Sequence, residues 1–181
     1  MSNVDFFTPH RPRTVLEQLR EKTFTTDKDF LIWIDEDVKL LPESEKILFD
    51  PNLEFKSKYD IERFIWKNDK GHEGYGIGIY RVRAIRPIFV KFPILPSAGL
   101  DIILQTLVST GKSKNIFYTH PLKGNNYFRW GKGRAFCLRI TGFKKQNLPR
   151  SKIQIKNLSI YVSYLLGFTY GLFAKINDES W

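Results

Sequence analysis

Carboxylates are nearly missing from the second half of this 181-residue chain: between Gly74 and Asn177 the sole Asp or Glu is Asp101. A folded surface with so little negative charge projects a positive potential, because nothing nearby cancels it. Cysteine is equally scarce. Cys137 stands alone, which excludes a disulfide framework and any cysteine-based zinc site and fits a reducing compartment. The three histidines, His10, His72 and His120, lie far apart in sequence. No Ser-His-Asp pattern, phosphate-binding glycine loop or nucleotide fingerprint occurs. No catalytic residue, cofactor or metal is therefore expected. Met1 to Arg13 contain no apolar core of signal-peptide type, so a cytoplasmic location is expected.

What is present is a basic, aromatic-rich chain. Aromatic residues make up 15% of it, against an apolar share of 42% and a net charge of +10. The apolar share is ordinary for a globular protein and the length suffices for one buried core. The charge is unevenly placed. Met1 to Lys70 hold 12 Lys and Arg against 15 Asp and Glu, a balance of −3; Gly71 to Trp181 hold 17 against 4, a balance of +13. The change of sign suggests an acidic N-terminal α/β extension or subdomain over residues 1–70 and a basic, barrel-like nucleic-acid-binding region over 71–181, with one continuous domain as the alternative. A basic face can serve solubility alone, but such faces normally mix both signs. A polyanionic partner would relieve the self-repulsion by displacing counterions.

Local patterns give a mixed fold. Thr14, with Glu17 three residues on, has capping-box spacing and opens a helix through Leu19. Phe30 to Ile34 is an apolar run of strand length. Lys58 to Lys67 places Ile61, Phe64 and Ile65 at helical spacing, and Lys67 to Gly71 is polar and loop-like. Tyr75 to Ile85 alternates as a strand, with an end or bulge near Tyr80. Arg86-Pro87 breaks that run and Ile88 to Phe92 resumes it, before a turn bracketed by Pro93 and Pro96. Gly99 to Ser109 reads as a helix. Asn115 to Thr119, Ala135 to Phe143 and Ile153 to Ile155 read as strands. Asn157 to Ala174 is uncharged and near the lower length for a membrane span. Its tyrosines, glycines and hydroxyls favour a buried strand pair or a buried core helix, so no membrane contact is expected. The class expected is α+β, an antiparallel β pseudobarrel with flanking helices and an N-terminal α/β extension.

The stretch Lys112 to Lys145 alternates cations with aromatics, amides and glycines, without a carboxylate. Lys112, Lys114, Lys123 and Lys132 are suited to phosphates as point charges. Arg129 and Arg134 suit bidentate contact with phosphate or guanine. Asn125 and Asn126 suit an adenine edge. Glycines 124, 131 and 133 permit sharp turns and close approach. Tyr118, Tyr127, Phe128 and Trp130 are able to stack on bases, and His120 to contact phosphate. Phe117, Phe128, Phe136 and Leu138 are expected in the core of a strand-loop-strand hairpin.

The succession Ile116-Phe117-Tyr118, a basic Gly/Asn loop, Arg129-Trp130-Gly131-Lys132-Gly133 and a strand from Phe136 to Ile140 resembles the DNA-binding effector domain of EcoRII-type restriction enzymes. That domain is a plant-type B-three pseudobarrel, and similar modules belong to LlaJI/McrB-like systems. The resemblance covers Ile116 to Lys145. It implies duplex DNA as partner, alongside other subunits of a restriction complex, and two arms wrapping the major groove. One arm would carry Lys123, Asn125, Asn126, Arg129, Trp130, Lys132 and Arg134; the other would lie near Arg81, Arg83 and Arg86. Such modules read base edges and phosphates and perform no catalysis.

Three rival readings share parts of this pattern. An RNA-binding or CRISPR-associated module would use the same cations and aromatics on single strands. A structural phage or ribosomal component would line nucleic acid without sequence preference. A metal-dependent nuclease needs Glu-x-Lys beside a further carboxylate, and Glu54-Phe55-Lys56 with Asp37 or Asp50 has that form, though it also fits a solvated acidic face.

Overall fold

Thr14 begins the first helix in the way its spacing to Glu17 predicts. Its hydroxyl accepts from the Glu17 N–H at 3.2 Å, and Glu17 Oε2 accepts from the Thr14 N–H at 3.0 Å. Two helix-start donors are thereby satisfied reciprocally. Helix α1 runs Val15–Thr25 and joins two parallel strands, β1 (Val4–Phe7) and β2 (Phe30–Trp33). A parallel pair requires such a crossover. The computed structural model describes residues 2–10, 13–67, 73–96, 99–119, 124–141 and 158–174. The strand expected at Ile153 to Ile155 and most of the polar segment after Lys67 lie outside them.

Four more strands complete one sheet: β3 (Lys39–Leu40), β4 (Ile61–Lys67), β5 (Glu73–Arg81) and β6 (Thr110–Thr119). The order is β1-β2-β5-β4-β6-β3, and the sheet curls into a half-barrel. The mixed α and β content and the barrel-like curl agree with the expected class. The sheet is not purely antiparallel, because β1/β2 and β4/β6 pair in parallel. Helices α2 (Pro42–Leu48), α3 (Val82–Lys91), α4 (Leu100–Leu107), α5 (Gly124–Thr141) and α6 (Leu158–Phe173) follow in chain order.

The chain divides into two compact units: Met1–Lys91 with Val108–Pro121, and Phe92–Leu107 with Leu122–Trp181. This division does not coincide with the change of charge sign at Lys70. β4 and β5 pair antiparallel, with Lys67 opposite Glu73, so Lys70 falls between two directly paired strands.

Unit 1 holds the sheet with α1, α2 and α3. Its core gathers Leu19, Leu31, Ile32, Ile61, Phe64, Ile79, Tyr80 and Ile85, each fully buried. Two of its elements differ from expectation for local reasons. Ile61 and Phe64 suggested a helix, but they belong to β4. The register shifts between Arg63 and Ile65, and this bulge turns a spacing of two into three, so both side chains point inward. Ile88 to Phe92 suggested a strand, but Val82, Ile85, Ile88 and Phe89 form the buried face of α3. Pro87 sits inside that helix and is exposed.

β1 is an edge strand, and its outer side is capped. Asn3 and Phe7 carbonyls accept from Phe30 and Ile34 of the β2 side, so the Val4 and Phe6 N–H groups face away. Val4 N–H donates to Ser2 Oγ at 3.2 Å and Phe6 N–H to Asp5 Oδ1 at 2.8 Å. The other Asp5 oxygen accepts from Lys22 at 2.7 Å and Thr26 at 2.9 Å, both at the end of α1.

Unit 2 holds α4, α5 and α6. Residues 124–134 were expected as a loop and Ala135 to Phe143 as a strand; Gly124–Thr141 is instead one helix. The glycines that suggested turning serve close approach. A side chain at Gly131 would meet the Tyr164 carbonyl and Phe168 nitrogen of α6, and one at Gly167 would meet the Phe128 carbonyl of α5. The two helices therefore pack backbone to backbone, as small residues allow. Of the two arrangements expected for Asn157 to Ala174, the helical one forms, but one of its sides is exposed rather than buried.

Two outcomes follow from these contacts. Gly167→Ala is expected to destabilise the protein by about 2–3 kcal/mol through overpacking, while Thr169→Ala on the exposed side stays within about 0.5 kcal/mol; urea unfolding measures both. Burial acts to raise the Asp5 pKa, but the bonds from Lys22, Thr26 and the Phe6 N–H outweigh it and hold the carboxyl below its ordinary value. The stability this contributes is present above the unfolded pKa of about 3.9 and is lost as pH falls through the lowered folded value. Asp5→Asn should remove that part of the acid limb in pH-dependent unfolding and leave the neutral-to-basic side flat.

Candidate nucleic-acid interface

The division into units narrows the charge asymmetry but leaves unit 2 the more basic body. Unit 2 carries 11 Lys and Arg against 3 Asp and Glu, a balance of +8; unit 1 carries 18 against 16, a balance of +2. Within unit 2, the span from Gly124 to Ala174 holds no carboxylate at all.

The sequence-selected cations do different things. In unit 1, Arg81 is committed internally. Its guanidinium donates to the Ser57 carbonyl, lies 3.6 Å from Asp60 and sits 4.7 Å over the Phe30 ring. Arg86 donates to the carbonyls of Thr23 and Thr26, each at 2.8 Å, where a cation complements the negative end of α1. Tyr118 is buried in β6 between β4 and β3. Arg83 on α3 and Lys112 on β6 are exposed. The supposed first arm around Arg81, Arg83 and Arg86 is thus the end of β5 and the start of α3, with one of its three arginines displayed.

In unit 2, α5 carries the second set. Arg129 is exposed. Trp130 is half-buried, edge-on to Tyr127 with centroids 5.2 Å apart. Lys132 is only 4% exposed, its ammonium 4.7 Å from the Tyr170 ring centre and 5.7 Å from that of Phe128. Aromatic faces attract a cation through their quadrupole, so both rings stabilise the buried ammonium. Arg134 is half-buried beside Tyr164, whose hydroxyl pKa is raised by burial and partly restored by that arginine. The wrapping loop implied by the resemblance is therefore a helix packed on α6. The side chains of Lys114, Asn125 and Asn126, and the positions His120 and Lys123, lie outside the described residues.

Sequence reasoning passed over Arg139. It donates to the Gly171 and Ala174 carbonyls at 3.2 and 2.7 Å, capping the negative end of α6. The signal available was a basic residue in the last turn of α5, but its partners lie about thirty residues on. Of the residues assigned to the core, Phe136 is buried, while Phe117, Phe128 and Leu138 are half-buried.

The remaining chemistry-bearing groups have structural roles. Glu54 and Lys56 pair with each other at 3.0 Å on the surface, outside any strand, so the nuclease triplet lacks its sheet context. His10 pairs with Glu36 at 2.6 Å, and Trp33 Nε1 donates to Asp35 at 2.7 Å. Among the described residues no three His, Cys, Asp or Glu side chains converge as a metal site. Burial pushes the Cys137 thiol up to about 11, which keeps it protonated and unreactive at neutral pH. Unit 1 also has an open cleft of about 440 Å³ between β1 and β3, lined by Phe6, Thr8, Ile34, Lys39, Glu45 and Phe49 among others. Comparison with protein families, curated proteins and solved structures finds no match to this chain.

The two kinds of cation separate in a stability measurement. Lys132→Ala should cost about 2 kcal/mol, by loss of the cation–aromatic contacts and the buried stem. Arg129→Ala should change stability by less than about 0.5 kcal/mol. Chemical denaturation of both variants checks this.

Proposed function

We propose that this protein binds the phosphate backbone of nucleic acid, with unit 2 as the contacting body. The observation that carries the reading is a compact unit with 11 cations and 3 carboxylates. Its α5–α6 pair, and the span between, contribute no negative charge. Such a body repels itself, and a polyanion relieves that repulsion through counterion release. Lys132 and Arg134 add to the field from inside, while Arg129 is displayed for direct contact.

Duplex DNA is the partner we propose first. The basis is the likeness of Arg129–Gly133 to restriction-system effector domains, and a role within such a system beside other subunits is the finer form of the same proposal. The helical state of that stretch changes the docking expected. A helix fits a major groove about 12 Å wide, so α5 would enter by its Arg129 side in place of a wrapping loop. The half-barrel curl of unit 1 supports kinship with pseudobarrel modules; its two parallel pairings depart from an all-antiparallel barrel.

The test is fluorescence anisotropy with labelled duplex DNA, single-stranded DNA and RNA of one length, between roughly 50 and 200 mM salt. Affinity should fall steeply with salt, and Arg129→Ala should reduce the slope by about one. Tighter binding to duplex DNA supports the first-named partner, and tighter binding to RNA or single strands reassigns it. A protein that binds none of them at low salt has no such function.

A further inference from the structure

Helix α6 has two opposite sides with different neighbours. Tyr164, Gly167, Phe168 and Gly171 meet α5. Val162, Leu165, Leu166, Thr169, Tyr170 and Phe173 follow at intervals of three and four and are all exposed. At about 100° per residue these six fall on one stripe, diametrically opposite the glycine side. Leu166 is 60% and Phe173 82% exposed. A contiguous apolar stripe of this kind on a surface marks an interaction site.

The charge around the stripe indicates its partner. No ionisable Lys, Arg, Asp or Glu occurs from Asn157 to Ala174. In sequence, Lys144, Lys145, Arg150, Lys152 and Lys156 precede it without a carboxylate, and Lys175 follows directly. Arg139 reaches the C-terminal carbonyls of α6. An apolar ridge flanked in sequence by cations is complementary in composition to a surface with an anionic outer layer and an apolar interior. A lipid bilayer with acidic headgroups has that profile. A second copy of the chain does not, because it would bring two units of +8 together.

Length sets the mode of contact. Sixteen residues extend roughly 24 Å, short of the about 30 Å hydrocarbon layer, and no described helix is long and apolar enough to cross a membrane. We infer that α6 lies in the plane of an anionic membrane surface, with Val162, Leu165, Leu166 and Phe173 inserted at the headgroup boundary. This reading is independent of nucleic-acid binding, which was assigned to the Arg129 side of α5.

The experiment uses the full chain and two vesicle preparations, phosphatidylcholine alone and phosphatidylcholine with about one third phosphatidylserine. Flotation should carry the wild-type protein with the anionic vesicles and little of it with the neutral ones. Leu166→Ser combined with Phe173→Ser, which leaves the net charge unchanged, should weaken anionic-vesicle binding by about tenfold or more; both sites are exposed, so the thermal midpoint should hold. Ile47→Asp, an exposed apolar site in unit 1, should leave vesicle binding unchanged. Leu165→Trp supplies a probe on the exposed stripe whose emission should shift to the blue on adding anionic vesicles. Oligonucleotide affinity of the double variant should remain that of wild type, which separates failure here from failure of the nucleic-acid reading. Three results overturn the inference: no flotation with anionic vesicles, flotation that survives the double substitution, or a stripe-dependent dimer in sedimentation without vesicle binding. The last would assign the stripe to a second copy.

Discussion

Backbone contact between α5 and α6 determines what unit 2 is able to show to its surroundings. Gly131 and Gly167 let the helices meet without side chains between them. Side chains that would otherwise fill the interface are displaced to its margins. Lys132 is drawn beneath Tyr170 and Phe128, Arg139 reaches across to the end of α6, and the aliphatic residues of α6 are left on the outer side. A glycine inside a helix costs roughly 1 kcal/mol relative to alanine, and the packing of two backbones offsets that cost. One steric choice thus decides which cations are internal and which apolar groups face outward.

The electrostatic arrangement follows the same division. In unit 1, cations are answered by carboxylates and helix ends: Arg81 by Asp60, Lys22 by Asp5, Arg86 by the end of α1. In unit 2, Lys132 and Arg139 are answered by aromatic rings and carbonyl oxygens. Those groups stabilise a cation while carrying no full opposing charge of their own. A body built this way stays strongly positive even though part of its charge is sequestered.

Much of the local structure was legible. The capping box at Thr14, the buried run of β2, the helix α4 and the second half of β6, from Asn115 to Thr119, follow directly from spacing and composition. The errors have physical causes that a one-dimensional pattern does not carry. The bulge at Arg63 gave a strand the spacing of a helix. Pro87 and the glycines of α5 carried the marks of chain breaks, yet one is tolerated on the exposed side of a helix and the others pack against a neighbour. The candidate site was legible as a set of cations, but not as a surface. Arg86 is engaged by a carbonyl 63 residues earlier, and Lys132 by a ring on the following helix. Neither partner is inferable from adjacent sequence.

The capped edge of β1 has a further bearing. Ser2 and Asp5 occupy the two outward N–H groups that an incoming strand would need. The same Asp5 carboxylate ties down the end of α1 through Lys22 and Thr26. A single carboxylate therefore covers one of the two outward N–H groups of this edge and anchors the end of the crossover helix. Colloidal behaviour and native topology are linked at this residue, so whatever neutralises it loosens the helix and exposes an adhesive margin in the same event.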